Sequence, residues 1–292
     1  MPSEVAIISG KGGTGKTSVC ASFASIAESV VLADCDVDAP DLHILLKPRV
    51  KATKDFVSSK VAQIDPTKCT LCGTCEERCR FNAVTPPNIQ QTRCEGCGVC
   101  ALVCPEGAVK LVNRVSGQLF ESDTEYGPMS HASLLPGEGN SGKLVTEVRR
   151  QGAAMAKSSG REIILIDGSP GVGCPVMATI TGIRLGVVVT EPTVSGLHDM
   201  QRIMDLLERF RVETAVIINK HDLNPEMTEK IKSHCENNGA EVIGKIPYDS
   251  IMSDALVEAM PLPDYSPEHE IVRLMRDIWK EIESDLSGQD RR

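Results

Sequence analysis

Short, unbroken apolar runs alternate with stretches of helical period along most of this chain. Val5-Ala6-Ile7-Ile8 carries no polar residue, the pattern of a strand buried on both faces. A stretch follows with Val19, Phe23, Ile26 and Ala27 on one side of a helix, and Val30-Val31-Leu32-Ala33 predicts a second buried strand ending at Asp34. Beyond the middle of the chain, Ile163-Ile164-Leu165-Ile166 ends at Asp167, and Gly186 to Thr190 predicts the next strand. Leu197 to Phe210 has helical spacing, Ala215 to Ile218 ends at Asn219, Pro225 opens another helix, and Glu241 to Ile246 predicts a last strand. Strands alternating with helices imply an α/β fold, a parallel sheet with helices on both faces.

That rhythm breaks twice. From about Ile64 to Val112 the chain turns to cysteine, glycine and proline with little helical period, and Gly117 to Gly142 reads as a polar stretch. The expected organisation is one α/β domain, residues 1–62 and 111–292, carrying a small inserted module at 63–110. A closing stretch with Ile271, Val272, Met275, Ile278, Trp279 and Ile282 predicts a terminal helix packed on the sheet. Its mixed charged flanks do not suit an anionic membrane, so membrane association is not expected.

Composition narrows the function. The 31 basic and 40 acidic side chains leave a net charge of −9, without the basic footprint of a nucleic-acid binder. No apolar run is long enough for a membrane span, and Met1-Pro2-Ser3-Glu4 does not open a signal peptide, so a cytoplasmic protein is expected. Of the 12 cysteines, eight lie between Cys69 and Cys104. In a reducing compartment such a cluster points to metal rather than disulfides. Cys20, Cys35 and Cys235 read as small buried hydrophobes, Cys174 as structural, and the six histidines show no metal spacing.

Gly10-Lys11-Gly12-Gly13-Thr14-Gly15-Lys16-Thr17 follows the first strand and precedes the first helix, the context of a phosphate-binding loop. Glycines let backbone N–H groups converge on phosphate oxygens, and the helix N-terminus adds its positive end. Lys16 suits the β- and γ-phosphates, Thr17 suits Mg²⁺, and Ser18 continues the site. With the second lysine, Lys11, the loop KGGTGKTS resembles the deviant phosphate loop of the MinD, ParA and nitrogenase-reductase ATPases. The resemblance implies ATP and Mg²⁺ as cofactors and a nucleotide-dependent homodimer, or a heterodimer with a related ATPase. It also implies that Lys11 reaches the partner's phosphates, that Asp36 orients the attacking water, and that Asp34 and Asp167 lie near Mg²⁺. Asn219 and Pro247 match the family's adenine-contacting positions. Asn219-Lys220-His221-Asp222 also reads N-K-x-D, which leaves guanine as the alternative, with Asp222 then engaged.

The cysteines form two runs, Cys69, Cys72, Cys75, Cys79 and Cys94, Cys97, Cys100, Cys104, the second starting 25 residues after the first. Each run resembles that of bacterial two-cluster ferredoxins, in which the fourth cysteine serves the other cluster. The resemblance implies one 4Fe–4S cluster on Cys69, Cys72, Cys75 and Cys104, and a second on Cys94, Cys97, Cys100 and Cys79. Arg80 stands where the second run has Pro105, and zinc is the alternative occupant. Taken whole, the chain resembles a MinD/Mrp-type ATPase with an inserted ferredoxin module. The expected function is an ATP switch coupled to electron transfer or partner control, acting with a redox or iron–sulfur partner protein. A cluster carrier of Mrp type and a positioning ATPase of MinD type are the alternatives.

Overall fold

The computed structural model describes residues 2–139 and 141–288; positions 1, 140 and 289–292 of the expected α/β domain lie outside the described residues. Ser3–Ser9 (β1) leads through the glycine loop into Lys16–Ile26 (α1), then Val30–Asp34 (β2), Leu42–Leu46 (α2) and Arg49–Ile64 (β3). The cysteine-rich stretch holds the helical turns Thr74–Glu77 (α3) and Val99–Val103 (α4), with Val84–Thr85 (β4) and Asn88–Ile89 (β5) between them. Val109–Thr124 (β6), Gly127–Leu134 (β7), Ser141–Ser159 (α5), Ile163–Pro170 (β8), Cys174–Ile180 (α6) and Leu185–Thr190 (β9) follow. The chain continues with Val194–Phe210 (α7), Glu213–Asn219 (β10), Pro225–Asn237 (α8), Glu241–Ile246 (β11), Ile251–Val257 (α9), Leu262–Tyr265 (α10) and Glu270–Ser287 (α11).

The main sheet runs β11-β10-β9-β1-β8-β2-β7-β6-β3. It is parallel from β11 across to β7. The apolar runs are buried because both faces are covered. Val5 and Ile7 join the core under α1 and α11, with Val187, Val189 and Ile217 from the neighbouring strands. Ala6 and Ile8 are equally buried on the other face, where α5, α6 and α7 pack. Helix α11 buries Ile271, Val272, Met275, Ile278, Trp279 and Ile282 in the core, and Trp279 packs against Phe23 of α1 with the rings tilted by 37° and 5.4 Å between their centres. No helix among the described residues is long and apolar enough to cross a membrane.

Two sequence expectations need correction. The polar stretch from Gly117 to Gly142 contains the end of β6 and all of β7. Its polar side chains are buried because partners satisfy them: Ser130 donates to the Val148 carbonyl (2.8 Å), and Ser122 meets His131 Nε2 at 2.9 Å. Burial, with His43 nearby, pushes His131 down to about 4, so it is neutral in this packing. Strand β8 also does not stop at Asp167 but runs on to Pro170.

The chain forms two compact units. One comprises residues up to Lys54, Leu119–Ser133 and those from Ser141 onward, and contains the parallel sheet. The other comprises Asp55–Gln118 with a short segment from Leu134, and contains the cysteine runs.

Candidate nucleotide site and cysteine-lined cavities

Between Ser9 and Lys16 the chain must reverse into a helix start. Gly13 and Gly15 make the turn with φ of 82° and 92°, where a β-carbon is costly. Gly15 is also crowded: a β-carbon there would lie 2.4 Å from Nδ2 of Asn219. Gly12, Gly13, Thr14, Gly15, Lys16, Thr17 and Ser18 all line one cleft of about 590 Å³, together with Asp36 and Pro170. Gly10 is not part of that lining; it packs so closely on α7 that a β-carbon would meet the Asp199 carbonyl oxygen at 2.4 Å.

Register across the sheet places the acids. Asp34 pairs with Asp167 on β2 and β8, and the Cys35 N–H donates to the Asp167 carbonyl at 2.8 Å. Lys16 Nζ lies 2.5 Å from Asp167 Oδ1 and 3.9 Å from Asp36, and the Thr17 hydroxyl donates to Asp167 Oδ2 at 2.8 Å. The Asp36 N–H donates to Asp34 Oδ1 at 3.0 Å. Burial disfavours the Lys16 ammonium, but Asp167, Asp36 and Asp34 outweigh it and hold its pKa above the ordinary value. Burial lifts Asp36 to about 6 against the pull of Lys16. Asp34 is held well above the carboxylate range by burial and then by the charge of Asp167.

Three carboxylates thus share one ammonium, and Asp34 Oδ2 is buried without a partner. Thr14 Oγ1, in the loop itself, is another such orphan. A hydrated Mg²⁺ suits that donor set: it supplies the missing positive charge, and a bound water can satisfy Asp34 Oδ2.

Lys11, Asn219 and Pro247 lie outside the cleft lining. The Lys11 Nζ lies 2.6 Å from Glu191 Oε1 and donates to Ser195 Oγ at 3.0 Å. Glu191 also pairs with Lys220 at 3.5 Å, and although burial opposes it, the two lysines hold its pKa below the ordinary value. Asn219 lies behind the loop rather than in the cleft lining, where its Nδ2 donates to the Thr14 carbonyl at 2.8 Å. Pro247 follows β11 outside the lining, and the next N–H, of Tyr248, donates to Asp222 Oδ1 at 2.6 Å. Glu191, Ser195 and the Asn219 tether carry no local motif and emerge only from tertiary packing.

In the second unit, Cys69, Cys72, Cys75 and Cys104 line one cavity, and Cys79, Cys94, Cys97 and Cys100 line another. Each ring takes three cysteines from one run and the fourth from the other. Backbone N–H groups reach the sulfurs: Ala108 to Cys104 at 3.3 Å, Ala83 to Cys79 and Ala62 to Cys94 at 3.4 Å each. Cys72 Sγ lies 3.4 Å from Thr74 Oγ1, and that hydrogen bond lowers its pKa, whereas burial raises Cys75 and Cys100. Gly73, Gly96 and Gly98 turn with positive φ, and the Lys60 carbonyl oxygen comes within 2.0 Å of where a β-carbon on Gly96 would sit. Ala62, Ile64, Val84 and Val109 back the rings. Among the described residues, no three His, Cys, Asp or Glu side chains converge as they would on a single metal ion. Of the other cysteines, Cys20, Cys35 and Cys235 are buried, but Cys174 is exposed at the start of α6, not packed in the core.

A strand, a glycine loop and a helix, backed by carboxylates at the ends of adjacent strands, define a P-loop nucleotide-binding protein. The chain belongs to the family described as the CobQ/CobB/MinD/ParA nucleotide binding domain, which residues 5–262 match. An uncharacterized protein of Methanocaldococcus jannaschii is 35% identical over 224 residues, 76% of this chain and 79% of its own. The septum site-determining protein MinD complexed with Mg-ADP from Pyrococcus horikoshii shares the fold with a TM-score of 0.60 at 18% identity, covering 99% of this chain and 98% of its own. An iron–sulfur cluster carrier protein of Pyrococcus horikoshii is 22% identical over 287 residues, 90% of this chain and 79% of its own.

Proposed function

We propose that this chain is an ATP-hydrolysing switch that governs electron transfer, or the control of a partner protein, through two 4Fe–4S clusters held by residues 63–110. The observation that carries this reading is the sorting of eight cysteines into two rings of four, each completed from the other run. Thiolates are the donors such clusters take, and the backbone N–H groups on sulfur suit their charge; a bound 4Fe–4S cluster supplies one-electron chemistry.

At the nucleotide site, Lys16 and the loop N–H groups would hold the β- and γ-phosphates, with Thr17 on Mg²⁺. Asp34 and Asp167 would hold water around that ion, and Asp36 would orient the attacking water. ATP is the proposed nucleotide, by the resemblance of the loop to that of the MinD and ParA ATPases, with GTP the alternative. Coupling would run through the chain itself: β2, which ends at Asp34, bonds to β7, β7 bonds to β6, and β6 continues into the cysteine-bearing unit.

For Lys11 to act on a partner subunit it must leave Glu191. Replacing Glu191 with alanine should therefore lower the concentration of non-hydrolysed ATP analogue needed for half-dimerisation by up to about fivefold, matching the ~1 kcal/mol of a half-exposed ion pair. Sedimentation of the wild type, E191A and K11A checks this; dimerisation of K11A equal to that of the wild type would remove the trans role.

The cluster-carrier reading has one observation of its own, an exposed cysteine in each ring, Cys72 and Cys97. Iron and sulfide counts on anaerobically purified protein, with EPR after dithionite reduction, test both readings. About eight irons with signals altered by Mg-ATP are expected for the switch. Signals indifferent to ATP, with iron passing to an apo-acceptor, would favour the carrier, and zinc in place of iron would remove both.

A further inference from the structure

We propose that the first electron taken up by this module rests in the cavity ringed by Cys79, Cys94, Cys97 and Cys100, because Arg80 is held over the Phe81 wall of that cavity and the charges flanking its cysteines are the more positive of the two sets. This rests on the iron–sulfur reading above. Arg80 belongs to the first cysteine run, yet its neighbour Cys79 lines the second cavity. Phe81 lines that same cavity, and the Arg80 guanidinium stacks over its ring at 5.0 Å, a cation–π contact that holds the charge in place. The exchange works in the opposite sense on the other side: Glu106, two residues after Cys104 in the second run, lines the first cavity.

Lys110 adjoins Val109 in the wall of the first cavity, but Glu76 and Glu77 follow Cys75 of that ring while Arg78 precedes Cys79 of the other, so the surplus of positive charge stays with the second cavity. Glu95 lines the second cavity, so each ring has one glutamate in its wall, but only the second has Arg80 beside it. Lys68 and Arg93 precede Cys69 and Cys94 symmetrically. Between the third and fourth cysteines the first run carries Glu76, Glu77 and Arg78, and the second carries the uncharged Ala101, Leu102 and Val103. Added negative charge is stabilised where the surroundings are more positive, so the second cavity has the higher potential. The step is a bare electron transfer: an external one-electron donor is oxidised, one centre is reduced by one electron, and no bond or proton moves.

An anaerobic potentiometric titration of the full-length, iron-loaded chain, followed by EPR, reads this directly. Two one-electron steps are expected. Arg80→Gln, and separately Arg80→Pro, should lower the upper step and leave the lower one in place. Glu106→Gln should raise the lower step, and Thr74→Val, which removes the hydroxyl beside Cys72, should lower it further. The gap should also narrow as ionic strength rises, since Arg80 is exposed. Movement of the lower step, or of neither step, in both Arg80 variants would overturn the assignment while about eight irons remain. Loss of iron binding in the wild type, or zinc in its place, would instead overturn the cluster reading beneath it.

Discussion

Replacing Lys16 with alanine is expected to abolish turnover and to destabilise the nucleotide-free protein by about 3–5 kcal/mol near pH 7.5, the cost of leaving buried charge without its partner. Lys16 is the ammonium set among Asp34, Asp36 and Asp167, in a pocket where Asp34 and Asp167 have no exposure at all. Without it the three acids repel one another in low dielectric. The rate should fall by at least about 10²–10³-fold, the loss typical of one preorganised charge-stabilising donor. The destabilisation should shrink below pH 6, because Asp36 at about 6 and Asp34 above its ordinary range then take up protons. In the wild type the same raised value means that Asp36 contributes stability fully below the unfolded value of 3.8, and that this contribution is lost as pH rises through about 6. Urea unfolding of both proteins from pH 5 to pH 8 checks the sign, and a penalty that grew toward pH 5 would refute it.

The second large effect concerns the crossed rings. Cys69→Ser should remove about half of the iron, and so should Cys104→Ser, although it lies in the other run. The double variant of Cys69 and Cys104 should lose no more than either single one, because both line the same cavity. Cys69→Ser with Cys79→Ser should lose nearly all of it, since those two line different cavities. Iron counts per chain separate these outcomes. Pairing by run, without the crossing, would give the reverse pattern.

The apolar runs at 5–8, 30–33, 163–166 and 186–190 were legible because parallel strands covered on both faces leave no polar alternation. The glycine loop and the cysteine spacings were legible because their chemistry constrains residue type at fixed intervals. Strand β3 was not. Its first seven residues, Arg49 to Asp55, are all exposed, so the strand is held by ladder hydrogen bonds at the sheet edge without an apolar signature. Strand β7 hid for the opposite reason, since it buries Ser130 and His131 with partners that sequence cannot supply. At the site, the loop residues from Gly12 to Ser18 and Asp36 line the cleft, whereas Gly10, Lys11, Asn219 and Pro247 do not, and neither the hold of Glu191 on Lys11 nor the support of the loop by Asn219 follows from a motif. Both are contacts between residues about 180 and 205 positions apart.

Trp279 gives the molecule a consequence of a practical kind. It is the chain's single tryptophan, it is 2% exposed, and its ring lies against Phe23 on the helix that the phosphate loop opens. The only indole fluorophore is thus seated on the back of the nucleotide-binding helix. Adjustments of that helix on filling the cleft can be followed as intrinsic emission, in unlabelled protein and in real time.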